Sequence, residues 1–199
     1  MGITTFSKKL LDKVIDEYKP KNVGEYGSQN LYFDGESLPA PFANVYYESK
    51  GIEYTCFDVS QENNCLHYDL TYLLPDEFTD KYSLVTDFGC TEHYGRNGKH
   101  HLEGFYNSWL NKHNMLKSGG VMINENPLSL HWHLHGFNYY TEEFYKGLVE
   151  LADYKIIELG TSCAMGNCET GKNVYAVLEK TGIRFPALEQ FKTLDLRQS

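Results

Sequence analysis

The feature that most constrains this chain is an alternation. Short runs rich in β-branched and aromatic residues give way to stretches with helical spacing, and four of the run ends carry an acid near the start of a loop. Phe6, Leu10, Leu11, Val14, Ile15 and Tyr18 recur at helical spacing up to Pro20, which predicts an opening helix. Residues 22–27 read as a brief buried strand entering a tight turn, and 28–41, rich in Gly, Ser, Pro and Asn, as a loop. A helix over 42–50 is closed by Gly51, and strands follow over 52–58, 66–70 and 82–88. A helix over 100–116 is broken by Lys117-Ser118-Gly119-Gly120 before a strand over 121–125. Thr141 caps a helix reaching Leu151, and 154–159 and 174–179 are the last strands. Strands separated by helices predict an α/β fold with a mostly parallel sheet. The last two strands have no helical pattern between them and predict an antiparallel pair at one edge.

A length of 199 residues suits one domain, with an N-terminal helix over 1–19, a core over 20–180 and a tail over 181–199. A formal net charge of −9 argues against nucleic acid and anionic membrane surfaces as partners, since both need a basic patch. The expected partner is therefore a small molecule; the sequence carries no signal of oligomeric state. The amphipathic N-terminus lacks an apolar signal core, and the five cysteines Cys56, Cys65, Cys90, Cys163 and Cys168 are irregularly spaced. Together these predict reduced thiols in a cytoplasm.

In open α/β sheets, ligands sit outside the carboxyl ends of the strands. Those ends hold Glu25 through Asn30, Asp58, Asp69, Asp87 through His93, and Glu125 through Pro127. An acid after the second strand suits two ribose hydroxyls. A pyrophosphate would also need further glycines and a helix N-terminus, and Gly27 is followed by Ser28, Gln29 and Asn30. An acidic, glycine-poor turn suits S-adenosylmethionine better, because that cofactor is cationic and carries no phosphate.

These residues resemble the class I S-adenosylmethionine-dependent methyltransferases over roughly residues 20–180. Glu25-x-Gly27-Ser28 resembles the acid-x-Gly start of that family's first motif, Asp58 its ribose-binding acid, and Asp69-Leu70 the acid–hydrophobe pair that meets adenine. Lys117-Ser118-Gly119-Gly120-Val121 resembles the turn before the fifth strand. The segment from Phe88 to His93, with His135-Gly136-Phe137-Asn138-Tyr139, resembles paired segments in uncharacterised bacterial and viral methyltransferase-like proteins. The resemblance implies a Rossmann-like three-layer sandwich whose seven-stranded, mostly parallel sheet ends in an antiparallel hairpin. It implies S-adenosyl-L-methionine as cofactor, held by Glu25, Gly27, Ser28, Asp58, Val59, Asp69, Leu70, Asp87 and Phe88. It places His93 and His135 over the methyl acceptor as catalytic candidates, a neutral-range imidazole being suited to taking its proton. The first motif departs from the family's G-x-G, and the distance from Gly27 to Asp58 is long, which makes 28–41 a candidate lid.

Two other readings stay open. One is a non-catalytic module that binds S-adenosylmethionine or a nucleoside with the same fold. The other is a metalloenzyme centred on His131, His133 and His135, which an extended segment would place on one side. No residue is assigned as a metal ligand.

Overall fold

The protein is described in a computed structural model over residues 2–32, 42–60, 62–94, 101–132, 134–163, 171–195 and 197–198. A short strand β1 (Gly2–Thr4) leads into helix α1 (Thr5–Tyr18). The Thr4 hydroxyl accepts the Ser7 N–H while Ser7 Oγ accepts the Thr4 N–H, a reciprocal box that satisfies two otherwise unpaired amides. Lys19, left-handed at φ 49°, ends the helix before Pro20. There follow β2 (Asn22–Tyr26), β3 (Asn30–Tyr32), α2 (Ala43–Ser49), β4 (Glu53–Asp58), β5 (Leu66–His67) and β6 (Tyr82–Phe88). Then come α3 (His101–Met115), β7 (Leu116–Pro127), β8 (Asn138–Tyr139), α4 (Glu142–Leu151), β9 (Tyr154–Cys163), β10 (Lys172–Lys180), α5 (Leu188–Phe191) and β11 (Arg197–Gln198).

Seven strands form one sheet in the order β5-β4-β2-β6-β7-β10-β9. Pairing is parallel from β5 to β7, whereas β10 runs antiparallel to both β7 and β9. The chain leaves β2 towards β4 and β5, then returns to β6 on the other side of β2. That reversal opens a crevice at the carboxyl ends of β2 and β6.

Period-two alternation divides the core between the two faces of the sheet. Val23, Leu84, Ile123 and Val177 pack with Leu10, Leu11 and Val14 of α1 and Tyr47 of α2. Tyr26, Val85, Met122 and Leu178 pack on the opposite face with Phe105 and Trp109 of α3 and Phe144 and Tyr145 of α4. The Trp109 ring lies 5.3 Å from that of Phe144, 6.1 Å from Tyr145 and 6.2 Å from Tyr140. Phe191 of α5 joins this cluster, so part of the tail belongs to the core.

Four expectations are corrected. Residues 117–120 do not break the chain ahead of a strand: Tyr82 pairs with Leu116 and Leu84 with Val121, so these residues bulge out of one continuous β7, with Gly119 at φ 76°. The third edge strand is only β5, because the Asp69 side chain folds the following residues into a turn. β1 and β3 pair in parallel within stretches read as helix and loop; three residues are too few to display a period. The thiols are not all reduced. A tight turn with Asn63 and Asn64 at positive φ folds the end of β4 back, bringing Cys56 and Cys65 to a Cα separation of 4.5 Å, where they form a disulfide. Cys163 is also disulfide-bonded and Cys90 is free, while Cys168 lies outside the described residues. The cytoplasmic expectation loses that support. Among the described residues, no helix is long and apolar enough to cross a membrane.

Trp109 is fully enclosed, so Trp109→Ala should cost about 3–5 kcal/mol of folding free energy, read from chemical denaturation.

Candidate active site

The ends of β2 and β4 are tied together. The Gly27 N–H donates to the Phe57 carbonyl at 2.9 Å, and the Ser28 N–H to Asp58 Oδ2 at 2.7 Å. Asp58 Oδ1 accepts the Ser60 N–H at 2.8 Å, and the Asn63 side-chain amide donates to Ser28 Oγ. A carboxylate offers about four acceptor directions, so two protein donors leave Asp58 with capacity for ligand hydroxyls. Beside it Val59 is 60% exposed. Gly27 has φ 76°, and a Cβ there would lie 3.0 Å from Cys90 Sγ, so only glycine lets the loops after β2 and β6 approach this closely. Gln29 turns inward and donates from Nε2 to the Tyr26 carbonyl at 2.9 Å.

The other strand-end acids take different positions. The Tyr68 N–H donates to the Asp58 carbonyl, which keeps Asp69 on the edge next to Asp58. Asp69 itself is exposed, its Oδ1 accepting the Thr71 N–H at 3.0 Å and the Thr71 hydroxyl at 2.6 Å. Glu25 points away from the crevice, into the face under α2. Its carboxyl receives the Tyr54 hydroxyl at 2.7 Å, Tyr47 at 3.2 Å and Thr86 at 3.3 Å. Burial pushes its pKa up to about 8, with those three hydroxyls pulling the other way. Leu70 and Phe88 are core residues on opposite faces of the sheet.

Asp87 is sealed at the end of β6. The Lys112 ammonium of α3 donates to Asp87 Oδ2 and, at 2.8 Å, to Asn124 Oδ1. Asp87 also receives the Cys90 N–H at 2.9 Å and the Thr91 hydroxyl at 2.5 Å. Lys112 lies 4.2 Å from the Trp109 ring centre and 5.2 Å from that of Tyr26. Burial lowers the Lys112 pKa, opposed by the Asp87 charge.

One short turn beyond Asp87, the two singled-out histidines come together around an acid. Glu92 Oε1 lies 3.5 Å from His93 Nε2 and 3.7 Å from His135 Nε2, and the imidazole centres are 5.2 Å apart. Glu92 is fully buried, and neither carboxyl oxygen has a hydrogen-bond partner within reach. Burial raises its pKa to about 7, and burial together with neighbouring His135 lowers that of His93. Residues 131–132 and 134–135 are turns and bends, with Leu130 and Leu134 at positive φ, so the described part of this segment is not the extended strand expected to set the imidazoles on one side. His131 is exposed, and His133 lies outside the described residues.

No protein-family model matches this chain, and no curated protein matches it in sequence. Its backbone is similar to several solved structures. One is the 1,6-didemethyltoxoflavin-N1-methyltransferase of Burkholderia thailandensis, bound to 1,6-didemethyltoxoflavin and S-adenosylhomocysteine. It is 12% identical over 89% of this chain and 78% of that one, with a TM-score of 0.62. Another is the N-methyltransferase NodS of Bradyrhizobium japonicum WM9 with S-adenosylhomocysteine, 12% identical over 92% and 89%, at 0.56. A third is the W203A mutant of the 16S rRNA (adenine(1408)-N(1))-methyltransferase of Catenulisporales acidiphilia, 9% identical over 88% and 92%, at 0.54.

The chain has the class I methyltransferase fold. In that fold's terms, β2 and β4 are the first two strands of the parallel sheet, and β6 is the fourth. Gly27 and Cys90 meet where the loops after β2 and β6 touch, with Ser28 and Asp58 on the β2–β4 side of that contact and the Glu92, His93 and His135 cluster following Cys90 on the other, while Glu25 and Asp87 are buried. Two residues that matter here went unread in the sequence. Lys112 falls on the apolar stripe of α3 with Phe105 and Trp109, and a charge on such a stripe signals a buried partner. Glu92 was one letter in a strand-end segment; an acid directly before His93 was the available signal.

Two outcomes follow. The Glu25 pKa is about 8 when folded against an ordinary 4.5, so its contribution to stability is whole below pH 4.5 and is lost as pH rises through about 8. Urea denaturation across that window should show a decline on the order of a few kcal/mol that Glu25→Gln flattens. Lys112→Met should cost about 3–5 kcal/mol by stranding the Asp87 carboxylate, and adding Asp87→Asn should recover part of it.

Proposed function

We propose that this protein is an S-adenosylmethionine-dependent methyltransferase acting on a small molecule or a polar side group. The observation that carries this reading is the cluster of Gly27, Ser28 and Asp58 at the sheet's reversal point, with a carboxylate left able to accept hydroxyls. The residues fit the cofactor there. Asp58 receives the ribose hydroxyls, and exposed Val59 offers apolar surface to the adenine. When bound, the cofactor supplies a methyl group on a positively charged sulfur.

The chain's own work is positioning, since methyl transfer is an in-line displacement governed by alignment. Asp87 and Thr91 fix the turn that presents Glu92 and His93, and the Tyr139 hydroxyl accepts the His135 backbone N–H at 2.9 Å, which fixes that residue's place in its loop. These imidazoles form the acceptor side. The net charge of −9 favours a small neutral or cationic acceptor over a nucleic acid. A non-catalytic binding module is the second reading. It is favoured by the inward turn of Gln29 and the enclosure of Glu25, which leave the first motif with fewer ligand contacts.

Calorimetric titration with S-adenosylmethionine and S-adenosylhomocysteine should show saturable binding, weakened at least about tenfold, or 1.4 kcal/mol, by Asp58→Ala. Absence of binding to both would overturn the proposal. Binding without transfer of a labelled methyl group to any acceptor in a metabolite extract would establish the module instead.

A further inference from the structure

We infer that Glu92, His93 and His135 form a binding site for a divalent first-row transition-metal ion. The ligand atoms of the three side chains all lie within 4.8 Å of one another. Donors around an ion at about 2.1 Å sit about 3.0–3.4 Å apart; the two carboxylate-to-imidazole distances, 3.5 and 3.7 Å, need a slight contraction, and the ligand nitrogens of the two part-exposed imidazoles, within 4.8 Å of each other, must draw closer together.

The second observation is Glu92 itself. Its side chain is wholly buried at the base of the cluster, yet neither oxygen completes a well-formed hydrogen bond, the imidazole nitrogens of His93 and His135 standing off from Oε1 at 3.5 and 3.7 Å. Buried carboxyls are ordinarily paired or bound to a metal. The surroundings hold the three side chains in place. The Phe137 N–H donates to the Glu92 carbonyl at 2.7 Å, and a Cβ on Gly136 would come within 2.9 Å of Glu92 Cγ, so the two loops are clamped together by glycine. The Trp132 ring lies 4.7 Å from the His135 ring, and the His93 N–H donates to the Cys90 carbonyl at 3.1 Å.

Two imidazoles with one carboxylate select zinc, iron or cobalt over magnesium or calcium, which prefer all-oxygen cages. His93 and His135 keep 41% and 30% of their side-chain surface exposed, so the ion would face the crevice with open positions, as catalytic rather than structural sites do. Only the next step rests on the methyltransferase reading. Those positions lie two residues beyond Cys90, which packs on Gly27, and suit an oxygen of the methyl acceptor, which points to a hydroxyl-bearing acceptor.

The test uses the full chain without an affinity tag, stripped with a chelator and titrated with Zn²⁺ and separately with Co²⁺, whose visible absorption reports its ligands. The expected result is one equivalent bound, with affinity reduced at least tenfold in both Glu92→Gln and His135→Ala. Thermal melts identify any variant that fails to fold, and His93→Ala, at a part-exposed position, replaces it. S-adenosylhomocysteine titration of the same samples separates the two proposals: metal binding without cofactor binding keeps this site and removes the methyltransferase reading, and the converse does the opposite. No binding of either ion by the unmodified chain, or undiminished binding in the folded variants, overturns the inference.

Discussion

Asp87, at the carboxyl end of β6, reaches Lys112 on α3, Cys90 and Thr91 in the turn that follows, and Asn126 on β7. One buried carboxylate thus fixes a helix, a strand and a loop relative to the central strand. Its charge is matched by an ammonium that also lies over two aromatic rings and donates to Asn124. Such a pair adds little to stability compared with a well-packed apolar replacement, but breaking one side of it is costly. What it secures here is geometry. The turn held by Asp87 is the one that carries Glu92 and His93 to the crevice.

The crevice has two walls of different character. The wall from β2 and β4 is built from backbone donors converging on Asp58, a rigid frame that leaves acceptor capacity free. The wall after β6 is built from side chains around an enclosed acid, with His135 brought in from a loop more than forty residues later in the chain. Gly27 joins them, because its missing side chain lets Cys90 pack directly on the turn. The N-terminal segment bears on the same edge of the sheet: β1 pairs with β3, and Ser7 donates to the buried Glu125 carboxylate at the end of β7 at 2.6 Å.

Four strand-end acids that look equivalent as letters behave as four different groups. Asp58 faces the crevice and Asp69 caps an exposed turn. Glu25 is enclosed and favoured in its neutral form, and Asp87 is an ion-pair partner. Strand periodicity predicts which face of the sheet a residue joins, but the partner waiting on that face comes from elsewhere in the chain. For Glu25 the partners are Tyr47 and Tyr54, from a helix and a strand that only the crossover brings alongside.

The sequence by itself determined the succession of the longer strands and helices, the α/β class and the antiparallel closing pair. Each of these depends on periodicity or on a breaker within a few residues, and local patterns carry that information. The resemblance in residues 20–180 added the sheet's seven strands. Only the tertiary structure decided the buried Lys112–Asp87 pair, the Cys56–Cys65 disulfide and the meeting of Glu92, His93 and His135. Those contacts are made in three dimensions by segments whose separation along the chain says nothing of their distance in space. Short strands such as β1 and β3 stayed hidden for a related reason: three residues hold no period, and their stability comes from the partner they pair with.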